Sequence, residues 1–205
     1  MEGVVASLPV LNNQRTKPLF GGAMMAAFPD RFKDVSDFRD VPDHQEVLSD
    51  EAHDESIIIE LLELKEEAQD QDGARWFLTD LAGEMEAAPG SRLDSVSPLS
   101  AVDVPFLDPL IPKSAAFGTM AVSKYRQGPE AQNLVKVHLA HLRLRNVGTD
   151  VLVTVYEPLV ISEQSESARA VTATGANMEP RQSALEVFRT LLATLRVVDW
   201  SLFGH

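Results

Sequence analysis

Two pairs of carboxylates, each with its members three residues apart, are the side chains of this chain best suited to chemistry or recognition. The first pair is Asp43 with Glu46 and the second is Glu60 with Glu63. Two neighbouring carboxyl groups can act as general acid and general base, as in glycoside hydrolysis, or can bind a cationic group of another molecule. Paired acids arise by chance in any acidic stretch, and no aromatic-rich sugar cleft accompanies these. The pattern therefore favours cation recognition over a carboxylate hydrolase.

The acidic residues are concentrated in one part of the chain. Residues 30–72 contain 16 of the 31 acidic residues and 4 of the 18 basic ones, in a chain of formal net charge −13. Such a run is often only a solvated surface. Here the acids alternate with apolar residues that hold them on a fold, so the run is suited to a cationic protein surface. The same charge argues against nucleic acid and anionic membranes as partners, because phosphate groups are recognised by clustered Lys and Arg.

Motifs for a metal, a nucleotide or a covalent intermediate are absent from the sequence. There is no cysteine, hence no disulfide, thiolate zinc site or cysteine nucleophile. Residues 70–73 resemble part of a calcium loop, but Ala68 and Thr79 occupy the positions of its first and last ligands. His138 and His141 fall on opposite faces of a predicted strand and cannot easily share an ion. We therefore expect no cofactor and no metal.

The carboxylates of the first pair must be positioned by the elements around them. We predict a buried first strand over 18–29, whose paired glycines permit a bend. Residues 34–39 are predicted to form a turn or a single helical turn, with Asp34 or Ser36 as the N-cap. Residues 44–48 are predicted to form the second strand.

The second pair lies in residues 56–64, a short apolar run that periodicity alone cannot assign. Three consecutive isoleucines favour a strand, since β-branched side chains suit a pleated sheet. In a strand, Glu60 and Glu63 point to opposite faces; in a helix they lie side by side.

The rest of the chain predicts helices and an antiparallel meander. The expected elements are a helix from Asp72 to Gly83, an extended connection over 86–112, strands near 117–125, 134–144 and 150–156, a mobile loop over 162–180, a helix from Ser183 to Arg196 and a docked tail over 197–203. This order indicates an α+β fold with a mostly antiparallel sheet covered by helices.

Chain length and composition indicate a single domain. We assign it to residues 18–205, preceded by a flexible N-terminal extension over 1–17 that is a poor signal peptide. No apolar run is long enough to cross a bilayer.

Six blocks of sequence, in one order, span nearly the whole chain from Leu19 onward. They are Leu19-Phe-Gly-Gly22, Asp34-Val-Ser-Asp-Phe-Arg39, Val41-Pro-Asp-His-Gln-Glu-Val47, Glu55-Ser-Ile-Ile-Ile-Glu-Leu-Leu-Glu63, Arg75-Trp-Phe-Leu-Thr-Asp-Leu-Ala82 and Val198-Asp-Trp-Ser-Leu-Phe203. These blocks resemble the Ran guanine-nucleotide release factor family, the Mog proteins of nuclear transport.

The resemblance implies a curved antiparallel sheet between helices, an α/β/α sandwich shared with the PsbP photosystem proteins. It also implies a monomer of the nucleus and cytoplasm that binds the small GTPase Ran and releases its guanine nucleotide. It leaves open whether a further Ran-binding protein joins the complex. The alternative is a PsbP-like structural or assembly subunit of photosynthetic membranes, which needs a transit segment that this sequence lacks.

The resemblance places the family's Ran-binding acidic pair on Glu60 and Glu63, the first of which is commonly Asp in the family. Our hypothesis is that these two carboxylates pair with cationic groups of Ran. Flanking contacts are expected from four further acids: Asp34, Asp37, Asp43 and Glu46. The resemblance thus implies a non-catalytic factor, because a release factor need only bind nucleotide-free Ran better than loaded Ran.

Overall fold

A computed structural model of the chain describes residues 16–122, 131–165, 167–168 and 181–204. Within these residues there are ten strands and two α-helices. The strands are β1 (Thr16–Leu19), β2 (Met24–Ala27), β3 (Lys33–Asp34), β4 (Gln45–Asp50), β5 (Glu55–Glu63), β6 (Arg92–Pro98), β7 (Lys113–Val122), β8 (Asn133–Leu144), β9 (Thr149–Val160) and β10 (Arg196–Val197); the helices are α1 (Gly73–Glu84) and α2 (Ala184–Thr194).

Seven of the strands form one antiparallel sheet in the order β3-β4-β5-β9-β8-β7-β6, and the other three form a small sheet in the order β1-β2-β10. The large sheet is packed on both faces because side chains alternate along each strand. Ile57 and Ile59 of β5 join a core with α2 and the small sheet, whereas Ile58 and Leu62 pack against a second core with α1. The predicted α+β fold, with a mostly antiparallel sheet between helices, is confirmed.

Helix α2 follows the predicted pattern. It begins with a capping box, in which Ser183 Oγ accepts from the Glu186 amide at 3.3 Å and Glu186 Oε2 accepts from the Ser183 amide at 2.8 Å. Val187, Phe188, Leu191 and Leu192 form its buried stripe. The prediction that it reaches Arg196 is wrong: the helix ends at Thr194, and Arg196 begins β10, which pairs with β2.

Helix α1 lies against the opposite face, and its first residue must be glycine. A Cβ placed on Gly73 would lie 2.0 Å from Nδ1 of the buried His141. Asp72 is the N-cap residue, as expected, but its side chain accepts no capping hydrogen bond and instead lies 3.5 Å from Arg75. The helix ends at Glu84, one residue beyond its predicted end at Gly83.

The prediction of one strand over 18–29 is wrong. The chain reverses there, so that β1 and β2 pair with each other in antiparallel fashion. A 3₁₀ turn over Phe20–Gly22 makes the reversal, with positive φ values of 63° at Gly21 and 96° at Gly22. The paired glycines thus mark a hairpin turn rather than a bend within one strand.

The predicted extended connection over 86–112 contains an edge strand. Strand β6 pairs with β7, with a register shift between Leu93 and Ser95. Its side chains are almost all exposed, so it carries little of the apolar alternation by which a strand is recognised. The other expected strands are present: β4 and β5 confirm the early pair, and β7, β8 and β9 form the meander with longer strands than predicted.

Several predictions fall partly or wholly outside the described residues. They concern residues 1–15 of the proposed extension, 123–125 of a predicted strand, and most of the loop over 162–180. Thr16 and Lys17 of the proposed extension belong to β1. The tail docks as expected, because β10 pairs with β2 and Leu202 and Phe203 pack against the core. None of the helices in the described part of the chain is long and apolar enough to cross a membrane.

Candidate functional site

Glu60 occupies a fixed position in the middle of the sheet. In β5 it lies directly opposite Gln45 of β4 and Leu152 of β9, on the face that α1 covers. Gln45 Nε2 donates a hydrogen bond of 2.7 Å to Glu60 Oε1. Since the carboxylate is held by a neighbouring side chain on a rigid strand, its orientation is set before any partner arrives.

The electrostatic environment of Glu60 disfavours its charge. Partial burial raises the pKa of its carboxyl group, the Gln45 hydrogen bond and His44 oppose this shift, and Glu84 at the end of α1 adds to it. Burial raises the pKa of Tyr156 as well, and the charges of Glu60 and Glu84 act in the same direction. An ionised Glu60 is therefore incompletely solvated, and a cation brought by a partner would compensate its charge.

Glu63 is the last residue of β5 and is exposed. It points to the face opposite Glu60, because the side-chain period of a strand is two. Strand β4 pairs with β5 only as far as Glu60, while β9 pairs with β5 to its end. On the β4 side, the Leu61 amide donates to the carbonyl of His44 at 2.9 Å. The two carboxylates thus project from opposite faces of β5 near its end, where β9 still pairs with the strand and β4 no longer does.

The end of β3 and the loop from β3 to β4 carry three more of the predicted acids. Asp34 closes β3, and its Oδ1 accepts from the Ser36 amide at 2.8 Å. Asp37 is exposed in the turn that follows, and Asp43 is exposed in the turn just before β4. Because β4 begins opposite Glu60, the turn that carries Asp43 lies beside the end of β5.

Glu46 is separated from Glu60. It lies directly opposite Ile59, on the face of the sheet toward the small sheet, and its Oε1 accepts from the backbone amide of Phe20. Burial raises the pKa of Glu46, the bond to Phe20 opposes the shift, and Asp34 adds to it. Glu46 therefore links the two sheets, and the structure does not bring it together with Glu60.

Sequence reasoning missed Phe38, which is the most exposed aromatic side chain in the described part of the chain at 82 %. It lies on a short helical turn fixed by hydrogen bonds from the Phe38 and Arg39 amides to the carbonyl of Val35, at 3.0 and 3.1 Å. Exposed aromatic residues on rigid turns are typical anchors of protein interfaces. The signal in the sequence was a phenylalanine flanked by charged residues.

A buried histidine and aspartate resemble a catalytic dyad but are closed to substrate. His141 Nε2 lies 2.7 Å from Asp150 Oδ1, and both side chains are fully buried. Ser114 is opposite His141, but its hydroxyl accepts from the Ala74 amide at 3.1 Å. The backbone of Gly73 packs against Nδ1 of the imidazole, which leaves no space for a reacting atom. The dyad fixes the start of α1 against the sheet.

The described residues also show no cluster of three or more His, Asp or Glu side chains arranged to hold a metal ion. His138 and His141 point to opposite faces of β8, as predicted. The buried histidines of β8 therefore offer no enclosed reaction centre, and the notable features of the described residues are an acidic strand end and an exposed aromatic residue in the loop before β4.

Comparisons with known proteins agree on one family. The family described as "Ran-interacting Mog1 protein" matches residues 17–158. A "Ran guanine nucleotide release factor" of Danio rerio is 37% identical over 196 residues, which cover 92% of this chain and 100% of that protein. The Homo sapiens protein of the same name is 33% identical over 190 residues, covering 93% and 97%.

A solved structure gives independent support for the fold. The crystal structure of the Saccharomyces cerevisiae Ran-binding protein Mog1p superposes with a TM-score of 0.65 and covers 94% of this chain and 99% of that one. At 23% sequence identity, this likeness supports the architecture alone.

Proposed function

The chain belongs to the Ran-interacting Mog1 protein family, and from this membership we propose that it binds the small GTPase Ran and promotes release of its guanine nucleotide in support of nuclear import. It acts as a non-catalytic regulator of a GTPase. The observation in the structure that best supports this role is Glu60, a half-buried carboxylate held by Gln45 at 2.7 Å, which has no Lys or Arg ion pair among the described residues.

The proposed interface is the end of β5 together with the loop before β4. In the proposed complex, Ran approaches the end of β5 from the side on which β4 lies. Glu60 then contacts Ran from one face of the sheet and Glu63 from the other. Asp43 and Asp37 flank these two contacts, and Phe38 supplies an apolar anchor between the charged groups. Asp34 and Glu46 support the interface from behind, since Asp34 caps the turn and Glu46 holds the amide of Phe20.

The mechanism is thermodynamic coupling. A GTPase holds its nucleotide through a lysine, backbone amides and magnesium, and picomolar affinity corresponds to about 16 kcal/mol. When the nucleotide leaves, cationic groups that faced its phosphates lose their partners. Carboxylates fixed on a strand can compensate those cations, so the factor binds the nucleotide-free form more tightly. By reciprocity, nucleotide weakens the factor by the same ratio.

The wider cellular role follows from the proposed activity. We propose that the protein works as a monomer in nucleus and cytoplasm, where Ran cycles between loaded states, and that a further Ran-binding protein can join the complex.

Complex formation tests the site assignment. We expect the chain and nucleotide-free Ran to migrate as one complex in gel filtration, and the double substitution Glu60→Gln with Glu63→Gln to weaken that complex by about a hundredfold. Glutamine keeps the size of each side chain and the hydrogen bond from Gln45. A double variant that binds Ran as tightly as the unaltered chain would reject the assignment.

A further inference from the structure

A groove runs along the outer side of α1, away from the large sheet. Its volume is about 880 Å³, and its lining includes Glu67, Asp72, Arg75, Trp76, Asp80 and Glu84. The indole of Trp76 is half-buried and packs edge-on against Phe77, with ring centroids 4.9 Å apart at an angle of 85°. The groove therefore has a rigid aromatic wall with carboxylates around it.

The groove is predominantly negatively charged. Its lining has four carboxylates and one guanidinium, and that guanidinium, of Arg75, lies 3.5 Å from Asp72. Glu67, Asp80 and Glu84 have no ion-pair partner within the described ranges of the chain. A half-buried indole that lines a groove with carboxylates suits a lysine or arginine side chain, which gains both a cation–π contact and charge compensation.

The groove adjoins the acidic strand end. Trp76 of the groove packs against the same hydrophobic cluster as Ile58 and Leu62, which precede and follow Glu60 on its face of β5. The charge of Glu84, at the C-terminal end of the groove, also disfavours ionisation of Glu60 and Tyr156. A partner seated on Glu60 is therefore brought to one end of the groove. The helix that forms the wall has 12 residues and is thus about 18 Å long. At about 3.4 Å per residue, that length accommodates roughly five residues of extended chain.

We propose that this groove binds a short, extended basic segment of the same GTPase that contacts Glu60, with a lysine or arginine side chain over the indole of Trp76 and further cationic groups at Asp80 and Glu84. This inference rests on the proposed function, and it adds a second contact with its own chemistry. The segment is recognised by its positive charge and extended form, and its contact with the groove strengthens the complex without being required for contact at Glu60.

Fluorine NMR can observe the groove directly. The chain has two tryptophans, Trp76 and Trp200, so labelling it with 5-fluorotryptophan gives two resonances, which the variant Trp200→Phe assigns. Trp200 lies in the C-terminal 3₁₀ turn, away from α1, and serves as the internal control. On addition of unlabelled nucleotide-free Ran, we expect the Trp76 resonance to shift and the Trp200 resonance to stay. An unchanged Trp76 resonance in a formed complex would overturn the proposal.

A charge reversal provides the second test. Asp80→Lys should weaken the Ran complex by about tenfold, because it places a cation where the basic segment binds. The matched control is Glu51→Lys, which changes net charge equally but lies in the turn at the other end of β5, and it should leave the affinity within about twofold.

The outcomes separate the two proposals. If Asp80→Lys binds like Glu51→Lys while the double Glu60 and Glu63 variant loses binding, the groove proposal is wrong and the proposed function stands. If the unaltered chain forms no complex with Ran, the proposed function fails and the groove proposal fails with it.

Discussion

Glu60 and Glu63 lie on opposite faces of the same strand, although only two residues separate them. Glu60 faces α1 and accepts from Gln45, while Glu63 is exposed on the other face at the strand end. This relationship excludes a carboxylate pair that shares one substrate, which is what general acid and base catalysis requires. It also means that a partner that contacts both carboxylates must approach the strand end from the side that β4 leaves open.

The pH dependence of stability at Glu60 gives the first prediction. Folding raises the pKa of the Glu60 carboxyl group, so the ionised group destabilises the folded state. This loss of stability is absent below the pKa of the unfolded chain and grows as pH rises through the pKa of the folded chain. Glu60→Gln removes that penalty. In urea unfolding we expect the variant to be at least as stable as the unaltered chain near about pH 7.5, and the gain to disappear near about pH 4.

Glu63→Gln is the control for this effect, because Glu63 is exposed and its change should leave the free energy of unfolding within about 0.5 kcal/mol at either pH. A Glu60→Gln variant that is less stable at neutral pH would show that the carboxylate stabilises the fold, contrary to its proposed role as a recognition group.

The second prediction concerns Phe38. If this side chain anchors the interface, Phe38→Ser should lower the affinity for Ran by at least about tenfold, since buried aromatic anchors dominate interface energetics. The side chain is 82 % exposed in the free chain, so the melting temperature should not fall. Isothermal titration calorimetry and a thermal melt on the same preparation measure both quantities. Unaltered affinity would exclude Phe38 from the interface.

The third prediction concerns the two glycines of α1. Gly73→Ala should cost at least about 2 kcal/mol, because the new Cβ overlaps the imidazole of His141, which cannot turn away without losing its bond to Asp150. Gly83→Ala is the matched control on the same helix. Nothing lies within 4 Å of its Cβ position, so it should stabilise by about 0.5–1 kcal/mol. Similar effects of the two changes would contradict the packing described for Gly73.

The fourth prediction concerns Asp150, which connects the sheet to the segment before α1. It bonds to His141 and accepts from the Lys65 amide at 2.8 Å, while Arg143 donates to the carbonyl of Lys65 at 2.8 Å. Asp150→Asn should cost about 3 kcal/mol, because it removes a buried carboxylate that lies 3.9 Å from the buried Arg143 guanidinium and 2.7 Å from His141 Nε2. Amide hydrogen exchange should increase over 64–72, the residues that these bonds hold.

The control for Asp150→Asn is Asp94→Asn, which removes an exposed carboxylate that lies 2.7 Å from Arg92. This change should cost less than about 1 kcal/mol. Faster exchange throughout the molecule, rather than over 64–72, would indicate that Asp150 has no particular role in that segment.

The sequence predicted the sheet well where apolar periodicity is strong. The isoleucines of β5 and the alternation along β8 indicated strands, and the strand assignment correctly separated the faces of Glu60 and Glu63. Prediction from the sequence failed where an element depends on a contact with residues distant in the chain. Strand β10, which replaces the predicted end of α2, forms by pairing with β2, some 170 residues away, and β6 is an exposed edge that exists because β7 offers hydrogen bonds.

The candidate site was only partly accessible from the sequence. The acidic residues could be found by composition and spacing, but their burial could not. Glu46 looks like a partner of Asp43 in the sequence, yet it bonds to the Phe20 amide across the sheets, a contact over 26 residues. The nearness of Glu84 to Glu60 arises from the packing of α1 on the sheet, which no local pattern encodes.

The most direct test of the central claim is the rate of nucleotide release from Ran. Ran carrying a fluorescent guanine nucleotide is mixed in a stopped-flow instrument with excess unlabelled nucleotide and increasing concentrations of the chain. We predict that the release rate rises with chain concentration to a plateau, and that the Glu60→Gln and Glu63→Gln double variant loses this acceleration while it melts normally. Release that stays at the spontaneous rate at every concentration of the unaltered chain would contradict the account.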